Sequence, residues 1–398
     1  GLAGAIVLLA AVLFGMYLRR LIKQRAEFQT MVERSLVEKL ENGIRAVSLF
    51  QYPIVVITAK DFVAMDISDV RDLRHEGNRD LGKLLFLDTT SRVDEFKEQG
   101  GRFIFMSYEC LSFAQAGPDD VQFAAMKAAA QELAKESDET DLSKWFIWLD
   151  VLSIPQEHPG LRALAISSLY CYASQADSFV IVAPTSQHVD KKQPSGKDTY
   201  NKRVFCRAEQ IAFYCHRGLK EMHIMGDAGL EEVSNDWIQD VLCVFDGDMT
   251  CCRLRHPRGC TCDRENLVAP MLGLFFDIYV DSQDRGDSRR LSEGSEENQD
   301  NSKSEDTSNE SSKAAAWRHI RRKRDLVFPK YYDYSVEDGQ TEKRELFGTM
   351  IERAELMVNR DVVGCRNHLL NAKKKSRLTE LGETWMSSDS GFSRTLTI

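Results

Sequence analysis

Five short segments of this chain, Ile54–Ala59, Leu84–Leu87, Phe103–Met106, Trp145–Leu149 and Phe179–Ala183, are apolar almost without interruption. A strand with one wet face alternates polar and apolar residues. A run of roughly four to eight without alternation suits a strand covered on both faces, as in a parallel sheet. Helical patterns separate several of these runs. Pro118-Asp119-Asp120 has the composition of a helix entrance, with proline early and carboxylates in the first turn, ahead of an Ala-rich stretch to about Ala134. Leu161, Leu164, Ala165, Ser168, Leu169 and Tyr172 form an amphipathic stripe, and Phe205, Ala208, Ala212 and Cys215 form another. The alternation predicts an α/β class, a doubly wound parallel sheet with helices on both faces. Met222–Met225 and Val241–Phe245 read as further strands, and Pro270–Val280 as a closing apolar helix.

The flanks differ in character. Leu2 to Leu18 carry no charge and are followed at once by Arg19, Arg20, Lys23 and Arg25. About 17 apolar residues is the lower limit for crossing a bilayer, and positive flanks tend to stay cytosolic. A secretory signal would place its charges before the apolar run. Residues 1–20 are therefore expected to form a transmembrane helix, cut at its start because no initiating methionine is present, with the rest of a single-pass chain in the cytoplasm. Residues 21–50 read as a helical stalk with a stripe at Val32, Leu36, Leu40, Ile44 and Val47, which serves equally as a solvated connector or a docking face. The α/β domain is expected over 51–280. From 281 to 316 Leu291 is the lone large aliphatic residue, so this acidic, Ser-rich stretch reads as a disordered linker. Residues 317–398 hold a basic cluster, Arg318 to Arg324, and a tail with one helix near Glu345–Val358.

The net charge of −9 excludes a general nucleic-acid binder, which needs a dominant basic field. The basic cluster instead suits anionic lipid, with a solvated charge run as the plain alternative. Ten cysteines in 398 residues is too sparse for a disulfide scaffold and fits a reducing compartment.

Ligands of open α/β sheets bind beyond the carboxyl ends of the strands. Here those ends carry Ser107-Tyr108-Glu109, then Asp150 with Ser153, then Thr185-Ser186. Strand ends are also simply where solvent begins. At about 100° per residue, Glu209 falls at the margin of the stripe made by Phe205, Ala208 and Ala212. A carboxyl so placed projects toward a neighbouring crevice, partly desolvated, as an acid, base or charge stabiliser requires. Solvated helix glutamates are the commoner case.

RFIFMSYE, KWFIWLDVLSIPQ, LRALAISSLYCYASQADSFVIVAP and NKRVFCRAEQIAF, in this order over about residues 100 to 220, resemble Toll/interleukin-1 receptor (TIR) domains. They are also similar to the related heterokaryon-incompatibility (HET) domains, of the oomycete and algal type. Trp148-Leu149-Asp150 with Ser153-Ile154-Pro155-Gln156 matches the HET strand and loop; Phe205-Cys206-Arg207-Ala208-Glu209 matches the TIR tryptophan–cysteine–glutamate helix, with phenylalanine for tryptophan. Residues 50 to 100 would be an extra leading unit. The resemblance implies a flavodoxin-like sheet. It also implies a signalling role, in which many members cleave NAD between nicotinamide and ribose with a glutamate at the position of Glu209. Ser107, Tyr108, Asp150, Ser153, Ser186 and Cys206 would then line the nucleotide pocket, NAD being a substrate with no further cofactor required. The alternative is a non-enzymatic module that associates with itself or with other TIR-like domains.

Cys251, Cys252, His256, Cys260 and Cys262 fall within a dozen residues. Thiolates and imidazole are zinc ligands, and Cys252, His256, Cys260 and Cys262 make the candidate set. The spacing is not that of Cys-x-x-Cys knuckles, and a Cys-rich segment packed on the domain is the bland reading.

Overall fold

The computed structural model describes residues 2–74, 82–113, 116–137, 139–155, 158–257, 260–293, 312–367 and 369. Eleven strands are described: β1 (Ile54–Thr58), β2 (Leu84–Leu87), β3 (Arg102–Tyr108), β4 (Trp145–Leu149), β5 (Ser178–Val182), β6 (Ser186–His188), β7 (Gln193–Ser195), β8 (Met222–Gly226), β9 (Gly229–Glu232), β10 (Tyr331–Ser335) and β11 (Thr341–Glu345). Seven form one sheet in the order β2-β1-β4-β3-β5-β8-β9, while β6-β7 and β10-β11 are separate hairpins.

The middle of the sheet is parallel: β3 pairs with β4 and β5, and β5 with β8. Numbered by chain order among themselves, these four lie 2-1-3-4, the order of a doubly wound sheet. The expectation of a wholly parallel sheet needs correcting at both edges. β1 runs antiparallel to β4 and to β2, and β9 antiparallel to β8. β9 has no choice, because Gly226 pairs with Gly229 across a two-residue turn too short for a crossover. For β2 the continuous apolar run was misleading: Leu85 and Phe86 stay exposed on an edge strand.

Side chains alternate across the sheet with the period of two that strands impose. Phe103 and Phe105 of β3, Trp148 of β4, and Phe179 and Ile181 of β5 face one layer. Phe105 stacks between Trp148 at 4.0 Å and Phe179 at 5.2 Å between ring centroids. Ile104, Met106, Ile147, Leu149, Val180 and Val182 face the other, covered by helices Ala59–Ala64, Ile67–Arg74 and Asp120–Glu136. The last of these begins as its sequence predicts, with Asp119 and Gln122 forming a reciprocal capping box.

Helices Leu169–Gln175 and Val204–Arg217 cover the aromatic face, and helix Val268–Glu293 packs against the second of them. The expected Leu161–Tyr172 helix is split into Pro159–Ser167 and Leu169–Gln175. At the break, the Ser168 hydroxyl turns back onto the Leu164 carbonyl and accepts from the Gln51 N–H, competing with the helical ladder. Val241–Phe245 is not a strand. Ser234 caps a helix over Asn235–Val241, and a 3₁₀ turn follows at Val244–Asp246; the cap outweighs a short apolar run.

The flanking segments are part of the domain. The N-terminal helix, Leu2–Ser48, buries Leu36, Leu40, Ile44 and Val47 of the predicted stripe, so its last turns dock rather than connect. It meets helix Val268–Glu293 where Gly43 lies on Gly273; a Cβ on Gly273 would come within 2.1 Å of the Gly43 carbonyl oxygen. Among the described residues no helix is long and apolar enough to cross a membrane. The side chains of residues 1–12, on which the transmembrane expectation mostly rests, lie outside those described.

The expected linker at 281–316 also needs revision. Helix Val268–Glu293 runs well past residue 281 and a new helix starts at Ser312, so only 294–311 remain of it, outside the described residues. The expected tail folds onto the aromatic layer through Ile320, Phe328, Tyr334 and Phe347. Its helix is Met350–Arg360, since Glu345 ends β11.

Candidate functional site

Ser107 and Tyr108 close β3 at the carboxyl rim of the parallel strands and, as neighbours on one strand, point to opposite faces. They therefore lead to two polar groupings rather than one pocket wall.

On the aromatic face, the Ser107 hydroxyl donates to the Glu209 carboxyl, which comes from the second turn of helix Val204–Arg217. Tyr200, fully buried in the short helix Lys197–Tyr200, lies 2.7 Å from the same hydroxyl. Ser107 has one proton to give and Glu209 takes it, so Tyr200 donates to Ser107. Glu209 is half-buried. Loss of water around its carboxyl pushes its pKa up to about 8; the Ser107 hydrogen bond opposes that rise and the nearby Asp150 adds to it. Tyr170, close enough to feel the Glu209 charge, has a buried hydroxyl without a hydrogen-bond partner. The Trp148 indole N–H is likewise buried and unpaired.

On the other face, the Tyr108 hydroxyl donates to Asp150 at 2.7 Å, and Asp150 also accepts from the Val151 N–H at 2.6 Å. Burial raises the Asp150 pKa against both bonds. Burial and the Asp150 charge together hold the Tyr108 phenol well above its ordinary value. Cys206 is buried beneath the rim, its S–H directed at the Tyr108 carbonyl 3.6 Å away. Burial, then the Glu209 charge, push its thiol up, so it stays neutral.

Two expected pocket residues are occupied elsewhere. Ser153 is buried and donates to the Val55 carbonyl at 2.5 Å, fastening the loop after β4 to β1. Ser186 donates to Asp119, bracing the cap of helix Asp120–Glu136. Neither faces Glu209. Of the Ser153-Ile154-Pro155-Gln156 loop, Gln156 lies outside the described residues.

Sequence reasoning passed over Tyr170 and Tyr200, whose rings look like ordinary core in an apolar context. It also passed over an ion pair beside the β6-β7 hairpin, between a buried glutamate and a half-buried lysine. There Glu109, 3% exposed, faces Lys191 at 3.6 Å and keeps one carboxyl oxygen unpaired. Buried Lys or Glu is expensive unless paired, and no local pattern announces such a pair across 82 positions.

The cysteine-rich segment forms a cluster with one change of membership. Cys251, Cys252, His256 and Cys262 bring one ligand atom each within 4.8 Å of one another. The expected Cys260 is exposed and outside the group, its carbonyl instead accepting from the Tyr334 hydroxyl at 2.7 Å. All ten cysteines are free thiols.

Comparisons of the chain with protein-family models, with curated proteins and with solved structures gave no match.

Proposed function

We propose that this chain is a membrane-tethered signalling protein whose TIR/HET-like α/β domain hydrolyses NAD at the nicotinamide–ribose bond, with Glu209 as its key carboxyl. The observation that carries the reading is the place of that carboxyl. It overhangs the carboxyl end of a central parallel strand, held by Ser107, with Asp150, just past the end of β4, close enough to raise its pKa. That rim is where open parallel sheets bind nucleotides.

In the bond-breaking step, nicotinamide leaves as a neutral base and positive charge develops on the ribose. A carboxyl that is neutral when the pocket is empty loses its proton when a cationic substrate sits against it, because an opposite charge favours the ionised form. Glu209 would then hold the ribose hydroxyls and stabilise the oxocarbenium-like charge, an electrostatic task. Water completes the reaction by adding to the ribose carbon.

The tether is supported by apolar side chains left open on the N-terminal helix. Leu13, Phe14, Met16, Tyr17, Leu18, Leu21 and Ile22 are all exposed, spread over well over half of the helix circumference at about 100° per residue. Arg19 and Lys23 occupy the remaining arc, and Arg20 falls between Met16 and Leu13.

A second reading has its own observation. Tyr200, Ser107 and one carboxyl oxygen of Glu209 are already linked by hydrogen bonds, as in a structural network. On that reading the domain is a self-association module. The two separate by following nicotinamide release from NAD with the full chain in vesicles, alongside Glu209→Ala and Glu209→Gln. The enzyme reading expects turnover in the parent and a loss of about 100-fold or more in both variants. Equal rates, or no release in any assembled state, would leave the module.

A further inference from the structure

The geometry points to a structural zinc site built by Cys251, Cys252, His256 and Cys262, which clasps the β10-β11 hairpin onto the α/β domain.

The distances are those of a tetrahedral ion. Zinc–sulfur bonds of about 2.3 Å at tetrahedral angles place the sulfurs about 3.8 Å apart. Cys262 Sγ lies 3.9 Å from Cys251 Sγ and 3.5 Å from Cys252 Sγ, and the His256 nitrogen falls within the same 4.8 Å set.

His256 supplies an independent sign. Its ring is buried at 3% exposure, and its Nδ1 lies 2.9 Å from the Ser335 carbonyl oxygen. A carbonyl can only accept, so Nδ1 carries the proton and, in the neutral ring, Nε2 presents a bare lone pair. That Nε2 is buried with no hydrogen-bond partner. An unpaired buried acceptor is destabilising, and a metal bond removes that cost. A ligating histidine that donates its other N–H to a backbone carbonyl is the usual outer-shell arrangement of zinc sites.

A disulfide explains less. It would join two sulfurs at about 2.0 Å and leave both the third thiol and Nε2 without a role. Three sulfurs and one imidazole are also the wrong donors for calcium or magnesium, which take oxygen. Four protein ligands leave no open position, as in structural rather than catalytic zinc sites.

The site's position gives its task. Arg255 takes φ +63°, turning the chain between Cys252 and His256. His256 then enters the hairpin as if it were a strand: its N–H donates to Ser335 at 3.0 Å, and its carbonyl accepts from Glu337 at 3.1 Å. Its ring stacks on Tyr334 at 4.3 Å. One metal ion would therefore fix the 250–262 segment and, through the hydrogen bonds of His256, hold it to a hairpin about 80 residues further on.

The test is the metal content of the purified full chain, measured by mass spectrometry after dialysis against zinc-free buffer. About one zinc per chain is expected in the parent and in Cys260→Ser, and under a tenth of that in Cys262→Ser and His256→Ala. Because misfolding alone would also empty those two variants of zinc, cobalt is added to the stripped parent and to Cys260→Ser. Both should give the visible bands of tetrahedral cobalt with a thiolate charge-transfer band. Stripping should also speed protease cleavage between Tyr331 and Glu345. A parent that binds neither metal, a Cys262→Ser variant that binds as much as the parent, or a Cys262 disulfide in freshly purified protein would overturn the assignment.

Discussion

The Ser107 hydroxyl, one residue from the end of β3, donates its proton to the carboxyl of Glu209, 102 positions away in sequence. That contact fixes helix Val204–Arg217 against the rim of the parallel strands. It also orders the donors behind it, since Tyr200 must then give its proton to Ser107. A half-buried acid is thus held in one place by a relay that a merely apolar helix face would not require.

The raised pKa of Glu209 makes stability depend on pH in a stated direction. Unfolded, the group titrates near 4.5; folded, near 8. Below pH 4.5 both states bind the proton and nothing is lost. Between the two values only the folded state keeps it, so stability falls by about 1.4 kcal/mol per pH unit as pH rises, then levels above 8. Thermal or urea melts of the parent should carry that decline as one component, steepest at about pH 6, midway between the two values. Glu209→Gln should flatten it and be the more stable protein at pH 8.5. A stability difference between the parent and Glu209→Gln that rises with pH through this window would contradict the burial of this carboxyl.

Removing the Ser107 hydroxyl should move the same pKa further. Its hydrogen bond is the one contact that lowers the Glu209 value, so Ser107→Ala is expected to raise it, read from the carboxyl stretching band as a function of pH. Tyr200→Phe should leave the titration nearly unchanged while costing about 1 kcal/mol of stability. Identical titrations in the parent and Ser107→Ala would mean that the two side chains do not meet in solution.

Much of this frame was legible, and the parts that were not share a cause. The runs at Phe103, Trp145 and Phe179 read as parallel strands because both their faces are covered. Leu84–Leu87 has the same composition, yet it sits at an edge with Leu85 exposed; composition cannot distinguish an edge partner from a central one. Glu209 was legible from its angle on the helix, and Ser107 from its place at a strand end. Tyr170 and Tyr200 were not, because what makes them notable is an atom at the end of a ring that otherwise packs as core. The β10-β11 hairpin was overlooked although Asp338-Gly339 marks its turn, with Gly339 at φ +85°. Cys251 and Cys260 were interchangeable by spacing; the fold leaves Cys260 exposed and brings the Cys251 sulfur 3.9 Å from that of Cys262.

The crossing of the N-terminal helix over helix Val268–Glu293 depends on two glycines facing each other. A Cβ on Gly43 would lie 2.6 Å from the Ala269 carbonyl oxygen, and one on Gly273 2.1 Å from that of Gly43. These are backbone atoms, which cannot swing aside. In an open helix, glycine to alanine gains up to about 1 kcal/mol. Here the sign should reverse: Gly273→Ala is expected to cost about 1–3 kcal/mol in urea unfolding, in the range of overpacked cores. Gly15→Ala, with nothing within 4 Å of its Cβ, is the control and should be neutral or slightly stabilising.

The exposed apolar residues from Leu13 to Ile22 make a claim about surroundings that can be tested without any enzyme assay. Fully covering a large aliphatic or aromatic side chain is worth about 1.5–3 kcal/mol, and seven of them stand open on one short helical stretch. Water does not keep such a surface bare at no cost, and the proposed tether would cover it with a bilayer. The full chain, reconstituted from detergent into vesicles of mixed neutral and anionic lipid, should float with the vesicles in a density gradient and resist alkaline washing. Removing residues through Ile22 deletes the open stretch but spares Leu36, Leu40 and Ile44, which dock the helix on the domain. The shortened chain should stay folded, by its urea midpoint, and remain in the dense fractions. If the full chain also stays there, and does so as a dimer that the shortened chain cannot form, the apolar stretch is an interface between copies and the membrane tether is wrong.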